Sequence, residues 1–83
     1  MPTQEELRRQ EYTSRVNRVI DYIDAHLGEE LTLERLAAEA CFSRFHFHRI
    51  FAALAGETLA SYIRRLRLER AAIRLVQNMG EPV

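Results

Sequence analysis

Between Thr32 and Leu54 the apolar residues fall into two helical periods, a short one and a longer one, separated by only a few residues. Leu33, Leu36, Ala37 and Ala40 recur at the spacing of one helix face, and Thr32 stands ahead of them as a good N-cap. Cys41 and Phe42 leave room for no more than a tight turn before Ser43, a second N-cap. From there Phe47, Ile50, Phe51 and Leu54 resume a core-facing stripe. A two-turn helix, a tight turn and a longer helix make the helix-turn-helix pattern, whose helices cross at about 90–120°. Such a crossing needs a small residue in the first helix, and Ala37 supplies it. Phe42 is expected to plug the space between the helices. The turn favours Gly for its positive φ, yet Cys41 sits there, at a cost of about 1 kcal/mol. The sequence predicts Cys41 to be a small buried residue tolerated in that turn; a redox-sensing thiol is the other reading.

The remaining residues frame this motif. Thr3-x-x-Glu6 has the form of a capping box, but Leu7 is the one apolar anchor in residues 4–11, so residues 1–11 are expected to form a frayed or solvated lead-in. From Thr13 onward Val16, Val19, Ile20, Ile23 and Leu27 repeat at helical spacing, and Gly28 is a natural stop. Gly56 ends the motif's second helix. Thr58 caps a long last helix running to about Asn78, with Gly80 and Pro82 beyond. That helix carries two apolar stripes. Leu59, Tyr62, Ile63, Leu66 and Ile73 share the side expected to pack on the motif, and Leu68, Ala72, Leu75 and Met79 share the opposite side. A helix apolar on two sides is sandwiched between two bodies, and this chain is expected to supply only one. The fold predicted over residues 12–79 is all-α, with a homeodomain-like three-helix core followed by a linker helix.

The outward face of the helix after Ser43 points to a function. Phe45, His48, Arg49 and Ala52 lie almost opposite its apolar stripe, with Arg44 and His46 on the flanks, and no Glu, Lys or Gln among them. Arg donates two bonds to guanine, His bonds to base edges of either kind, and Phe or Ala packs on a thymine methyl. Phe45, His48 and Arg49 are therefore the candidate base contacts on double-stranded DNA. A carboxylate partner for Arg49, solvation for His48 and packing on the first helix or a neighbouring molecule for Phe45 are the plainer alternatives. Thr32, Ser43, Arg44 and His46 are candidate phosphate contacts, the first through the free amides at a helix start. Most arginines of the last helix are expected to form a solvated face, with Glu69 pairing to one at i,i+4 spacing.

A net charge of zero argues against a nucleic-acid binder, but the charge is segregated. Residues 1–43 hold five Arg against nine acids, and residues 44–83 hold seven Arg against three. No basic residue is Lys, which suits forked contacts to phosphate and guanine and equally reflects genomic base composition. One cysteine permits no internal disulfide, which fits a reducing cytoplasm. No apolar run approaches the roughly 18 residues of a membrane span, and the first residues lack a signal peptide's pattern. His46 and His48 lie about 200° apart on a helix, so with Cys41 they do not form a metal site. There is no Gly-rich phosphate loop and no nucleophile–base pair. Neither an enzyme nor a cofactor is expected. A reading from another class is self-association, a homodimer formed through the Leu68, Ala72, Leu75 and Met79 stripe.

Three segments, Leu31-Thr-Leu-Glu-Arg-Leu-Ala37, Phe42-Ser-Arg-Phe-His-Phe-His-Arg-Ile-Phe51 and Gly56-Glu-Thr-Leu-Ala-Ser-Tyr-Ile-Arg-Arg-Leu-Arg-Leu-Glu-Arg-Ala-Ala72, resemble the AraC/XylS family of bacterial transcription activators. The resemblance covers about residues 12–83. It implies a DNA-binding unit of two helix-turn-helix subdomains joined by a linker helix, of which this chain matches the first subdomain and the linker. Gly80-Glu81-Pro82-Val83 resembles the segment leading into the second subdomain, which is missing here. Leu68, Ala72, Leu75 and Met79 would then be the docking surface for that half. The resemblance also implies that Phe45, His48 and Arg49 enter the major groove. Some members append an effector domain that binds small molecules; no such domain is present, so no ligand is expected. A lone first half should bind DNA weakly, because pairing two recognition helices supplies avidity.

Overall fold

The computed structural model describes residues 1–79, and the chain over that length forms four helices: α1 (Gln4–Ala25), α2 (Leu33–Glu39), α3 (Arg44–Ala55) and α4 (Leu59–Met79). Gly80–Val83, including the two residues expected to terminate α4, lie outside the described residues. No described helix is long and apolar enough to cross a membrane.

Local chemistry sets most boundaries. The hydroxyls of Thr32, Ser43 and Thr58 accept hydrogen bonds from the amides of Arg35, His46 and Ser61 at 3.2, 3.3 and 3.1 Å, opening α2, α3 and α4. Gly56 ends α3 in the left-handed region at φ 76°, a conformation that only glycine adopts without a Cβ penalty. Between α2 and α3 the chain makes a Schellman turn, with Phe42 N–H bonded to Ala37 O and Cys41 N–H to Ala38 O, both at 3.0 Å. Cys41 holds the turn's positive φ, 59°, in place of glycine. Its side chain is exposed, not buried as expected, because the left-handed conformation turns it away from both helices.

The start of α1 also departs from expectation. Residues 4–11 are solvated, but they are helical rather than a lead-in. Both arms of the capping box form: Thr3 Oγ1 accepts from Glu6 N–H at 3.1 Å, and Glu6 accepts from Thr3 N–H at 3.4 Å. An Arg15–Glu11 ion pair follows at 2.6 Å. Turns added to an already nucleated helix cost no further nucleus, so weak local propensity suffices there. At the other end α1 stops at Ala25, three residues before Gly28, and Gly28 has no positive φ.

The core lies where the first three helices meet the start of α4. Val19, Ile23, Leu36, Phe47 and Phe51 are its largest fully buried side chains. Ala37, 2% exposed, is the small contact the crossing requires. Phe51 stacks edge-on to Tyr62 of α4 at 5.5 Å between ring centres. Phe42 is half-buried against the core and also meets α1, 5.1 Å from the Tyr12 ring. Leu59 and Ile63 hold α4 to this body, and Tyr62 and Leu66 are half-buried. Ile73, expected on the same packed side, is 58% exposed. The helix simply outruns the body beneath it, and every residue from Arg67 to Met79 is exposed. Leu54 is likewise 42% exposed, beside the solvated first turns of α1. These two projecting ends explain a radius of gyration of 16.1 Å, against about 12 Å for a compact domain of this length.

What fixes the direction of α4 is a pair of arginines. Arg67 Nε donates to Leu27 O at 3.2 Å and its terminal nitrogen to Glu29 O at 2.9 Å. Arg70 donates to Asp24 O at 3.3 Å. The last turn of α1 contains no basic residue, so α4 provides the cations that satisfy carbonyls at and just beyond its C-terminal end.

Candidate nucleic-acid interface

Helix α3 buries Phe47 and Phe51 and turns the opposite side to solvent. Phe45 is 71% exposed, and His48 and Arg49 are exposed beside it. Arg49 forms no ion pair and His48 no hydrogen bond to any of the described residues. The carboxylate partner weighed for Arg49 is therefore absent among them. The structure brings these three side chains onto one face, as the helical wheel requires.

The flanks of α3 are occupied differently. On one side is α2, whose Glu34 pairs with Arg44 at 3.2 Å. The Arg44 guanidinium also lies over the Phe45 ring, 4.7 Å from its centre. A hydrogen bond from its own backbone amide, and then the Arg44 fork, hold the Glu34 carboxyl below the usual carboxylate range. On the other side is α1. Tyr12 meets the ring of His46 edge-on at 5.7 Å, and Phe42 meets it at 5.2 Å. His46 is thus braced by two aromatic edges while remaining exposed. Ser43 and Thr32 each accept one hydrogen bond from a helix amide, which leaves each hydroxyl hydrogen able to donate outward. His48 borders a shallow groove of about 220 Å³ with Leu33, Thr58 and Ala60, at the opening of α4.

Leu68, Ala72, Leu75 and Met79 do share one side of α4, and all four are exposed. They lie on the projecting arm rather than on α3. Four participants had no signal in the sequence: Glu34, Tyr12, Arg67 and Arg70 act on partners 10 or more residues away. Arg65 pairs with Glu69 at 3.2 Å, the expected i,i+4 contact, and with Glu57 at 2.8 Å. The Arg65 fork holds the Glu57 carboxyl below its ordinary range. Among the described residues no cluster of His, Cys, Asp and Glu has the makings of a metal site.

A family model described as a helix-turn-helix domain matches residues 36–83. The chain is 43% identical over 65 residues to an uncharacterized HTH-type transcriptional regulator, YbfP, of Bacillus subtilis, covering 78% of this chain and 22% of that protein. It is 39% identical over 67 residues to the transposon Tn10 TetD protein of Escherichia coli, covering 81% and 49%. It is 38% identical over 76 residues to AdaA of Bacillus subtilis, a bifunctional transcriptional activator and DNA repair enzyme, covering 92% and 35%. The chain therefore spans half or less of the length of these relatives.

Proposed function

The chain belongs to the AraC/XylS family of helix-turn-helix transcription regulators, and from that premise we propose that it binds double-stranded DNA sequence-specifically with α3 in the major groove. Arg49 reads guanine through O6 and N7, Phe45 packs on a thymine methyl, and His48 bonds to a base edge. Thr32, Ser43 and His46 hold the adjoining phosphates and set the register. The observation that carries this reading is the outward face of α3: three exposed side chains suited to base edges, with Arg49 and His48 free of ion pairs and hydrogen bonds among the described residues, on a helix with no acid of its own.

Selection from a randomised duplex pool at low salt, with wild type and Arg49→Ala side by side, tests it. The expected result is a recovered motif in which the variant loses one guanine preference, worth about 1–3 kcal/mol. Retention without a motif, falling steeply with salt, would mean backbone binding alone and refute the readout. A second reading, self-association through α4, rests on the exposure of Leu68, Leu75 and Met79 at 64, 62 and 84%. Under it Leu75→Glu turns a dimer into a monomer, and an unchanged mass by light scattering sinks it.

A further inference from the structure

Arg44 was expected to meet a phosphate, but its surroundings assign it a different task. Its guanidinium has two engagements, a hydrogen bond to Glu34 Oε1 at 3.2 Å and a position over the Phe45 ring at 4.7 Å. Neighbouring residues on a helix project about 100° apart and do not ordinarily face each other. The long Arg44 stem must fold across the start of α3 to reach the ring, and the Glu34 carboxylate is what fixes the guanidinium there. Glu34 in turn stands on the first turn of α2, which Thr32 caps. Its depressed pKa agrees with a carboxylate that remains ionised and paired.

We propose that Glu34 and Arg44 are positioning residues for Phe45, locking the ring in the orientation in which it meets a thymine methyl. The assignment rests on the reading of α3 as the recognition helix. A ring that is 71% exposed has no packing of its own to select one rotamer. The stacked fork provides that selection, and the Glu34 carboxylate beside it offsets part of the attraction the guanidinium would have for a phosphate.

The two roles for Arg44 predict opposite results. Counterion release makes a phosphate contact visible as a change of about one in the slope of log K against log salt when the arginine is removed. A positioning residue leaves that slope alone and weakens one base preference. The expected results for Glu34→Gln and Arg44→Met are an unchanged slope for the latter and, for both, a preference at the Phe45 base pair reduced about two- to fivefold, the size of an exposed cation–π contact. Neither variant weakens that preference further in a Phe45→Ala background. Arg44→Lys fails to rescue it, because an ammonium lacks the planar fork, whereas it would restore a simple phosphate contact.

In the free protein, Phe45 Hα–Hβ couplings measured by NMR should report one χ1 rotamer for wild type and averaging for Glu34→Gln. A slope that flattens by about one in Arg44→Met, with the base preference intact, overturns the proposal while leaving α3 as the reader. Couplings identical in wild type and Glu34→Gln overturn it too, whether or not DNA is bound. Binding without any motif in the wild type overturns the recognition reading and this proposal with it.

Discussion

Replacing Arg67 with Met keeps the aliphatic stem on α4 and removes the fork that reaches Leu27 O and Glu29 O. Hydrogen bonds from a charged donor contribute about 1.5–3 kcal/mol each when well shielded. Here one bond is half-buried and the other exposed, so water replaces much of what is lost. A combined cost of about 1.5 kcal/mol is expected, from the low end of that range together with a cation's attraction to a helix C-terminus. A domain of this size has about 4–12 kcal/mol in all, which makes the loss a large share. It corresponds to a fall of about 6–12 °C in the midpoint of thermal unfolding, read by circular dichroism at matched concentration. Arg64→Met is the control, since Arg64 has no hydrogen bond or ion pair among the described residues, and it should leave the midpoint nearly unchanged. A shift below about 2 °C for Arg67→Met, or one equal to the control's, would mean that the clamp is only a solvated contact.

Cys41→Gly should stabilise the protein. Relief of the left-handed strain at φ 59°, worth at least about 1 kcal/mol, matches or outweighs the extra chain entropy of about 0.5–1 kcal/mol that glycine loses on folding; a lower urea midpoint would contradict it. Acid should destabilise the fold through Glu34 and Glu57. Both carboxyls titrate below their ordinary range when folded, so their contribution is complete above the unfolded pKa and disappears as pH falls through the lowered folded values. The thermal midpoint should therefore be flat from neutral pH to the ordinary glutamate range and drop below it, and a smaller drop in Glu34→Gln/Glu57→Gln would identify the carboxyls responsible. A midpoint unchanged down to pH values that protonate every carboxyl would refute this.

The parts of the fold legible in the sequence are those that local chemistry decides. Thr32, Ser43, Thr58 and Gly56 satisfy or release backbone groups within a few residues of themselves, so composition at one site names a boundary. The inward side of α3 and the outward placement of Phe45, His48 and Arg49 come from one angle per residue. Periodicity says which way a residue points but not how far the neighbouring body extends, which is why Ile73 and Leu54 have the right phase and yet meet solvent. The continuation of α1 back to Gln4 is a cooperative effect on weak local signals. The clamps are harder still. Arg67 and its carbonyl partners are 38 and 40 residues apart, and Arg44 and Glu34 are 10 apart, so no short window contains both members.

These clamps change what the segregated charge means for binding. Of the seven arginines in residues 44–83, Arg44 and Arg65 face carboxylates, and Arg67 and Arg70 hold the end of α1. Arg49, Arg64 and Arg74 have no such partner among the described residues. If every arginine of that half met a phosphate, log K would fall with log salt at a slope of about −6; with Arg49 on guanine, Arg64 and Arg74 give about −2. The shallower value is expected from fluorescence anisotropy of a labelled duplex across a salt series. The basic surplus of the sequence is then mostly scaffold, and base contacts must contribute a correspondingly larger share of the affinity. A slope steeper than about −5 that persists when Arg8, Arg9 and Arg18 are replaced by Gln would show that the clamped arginines leave their partners for the DNA backbone, and the rigid-clamp account of α4 and α3 would fall.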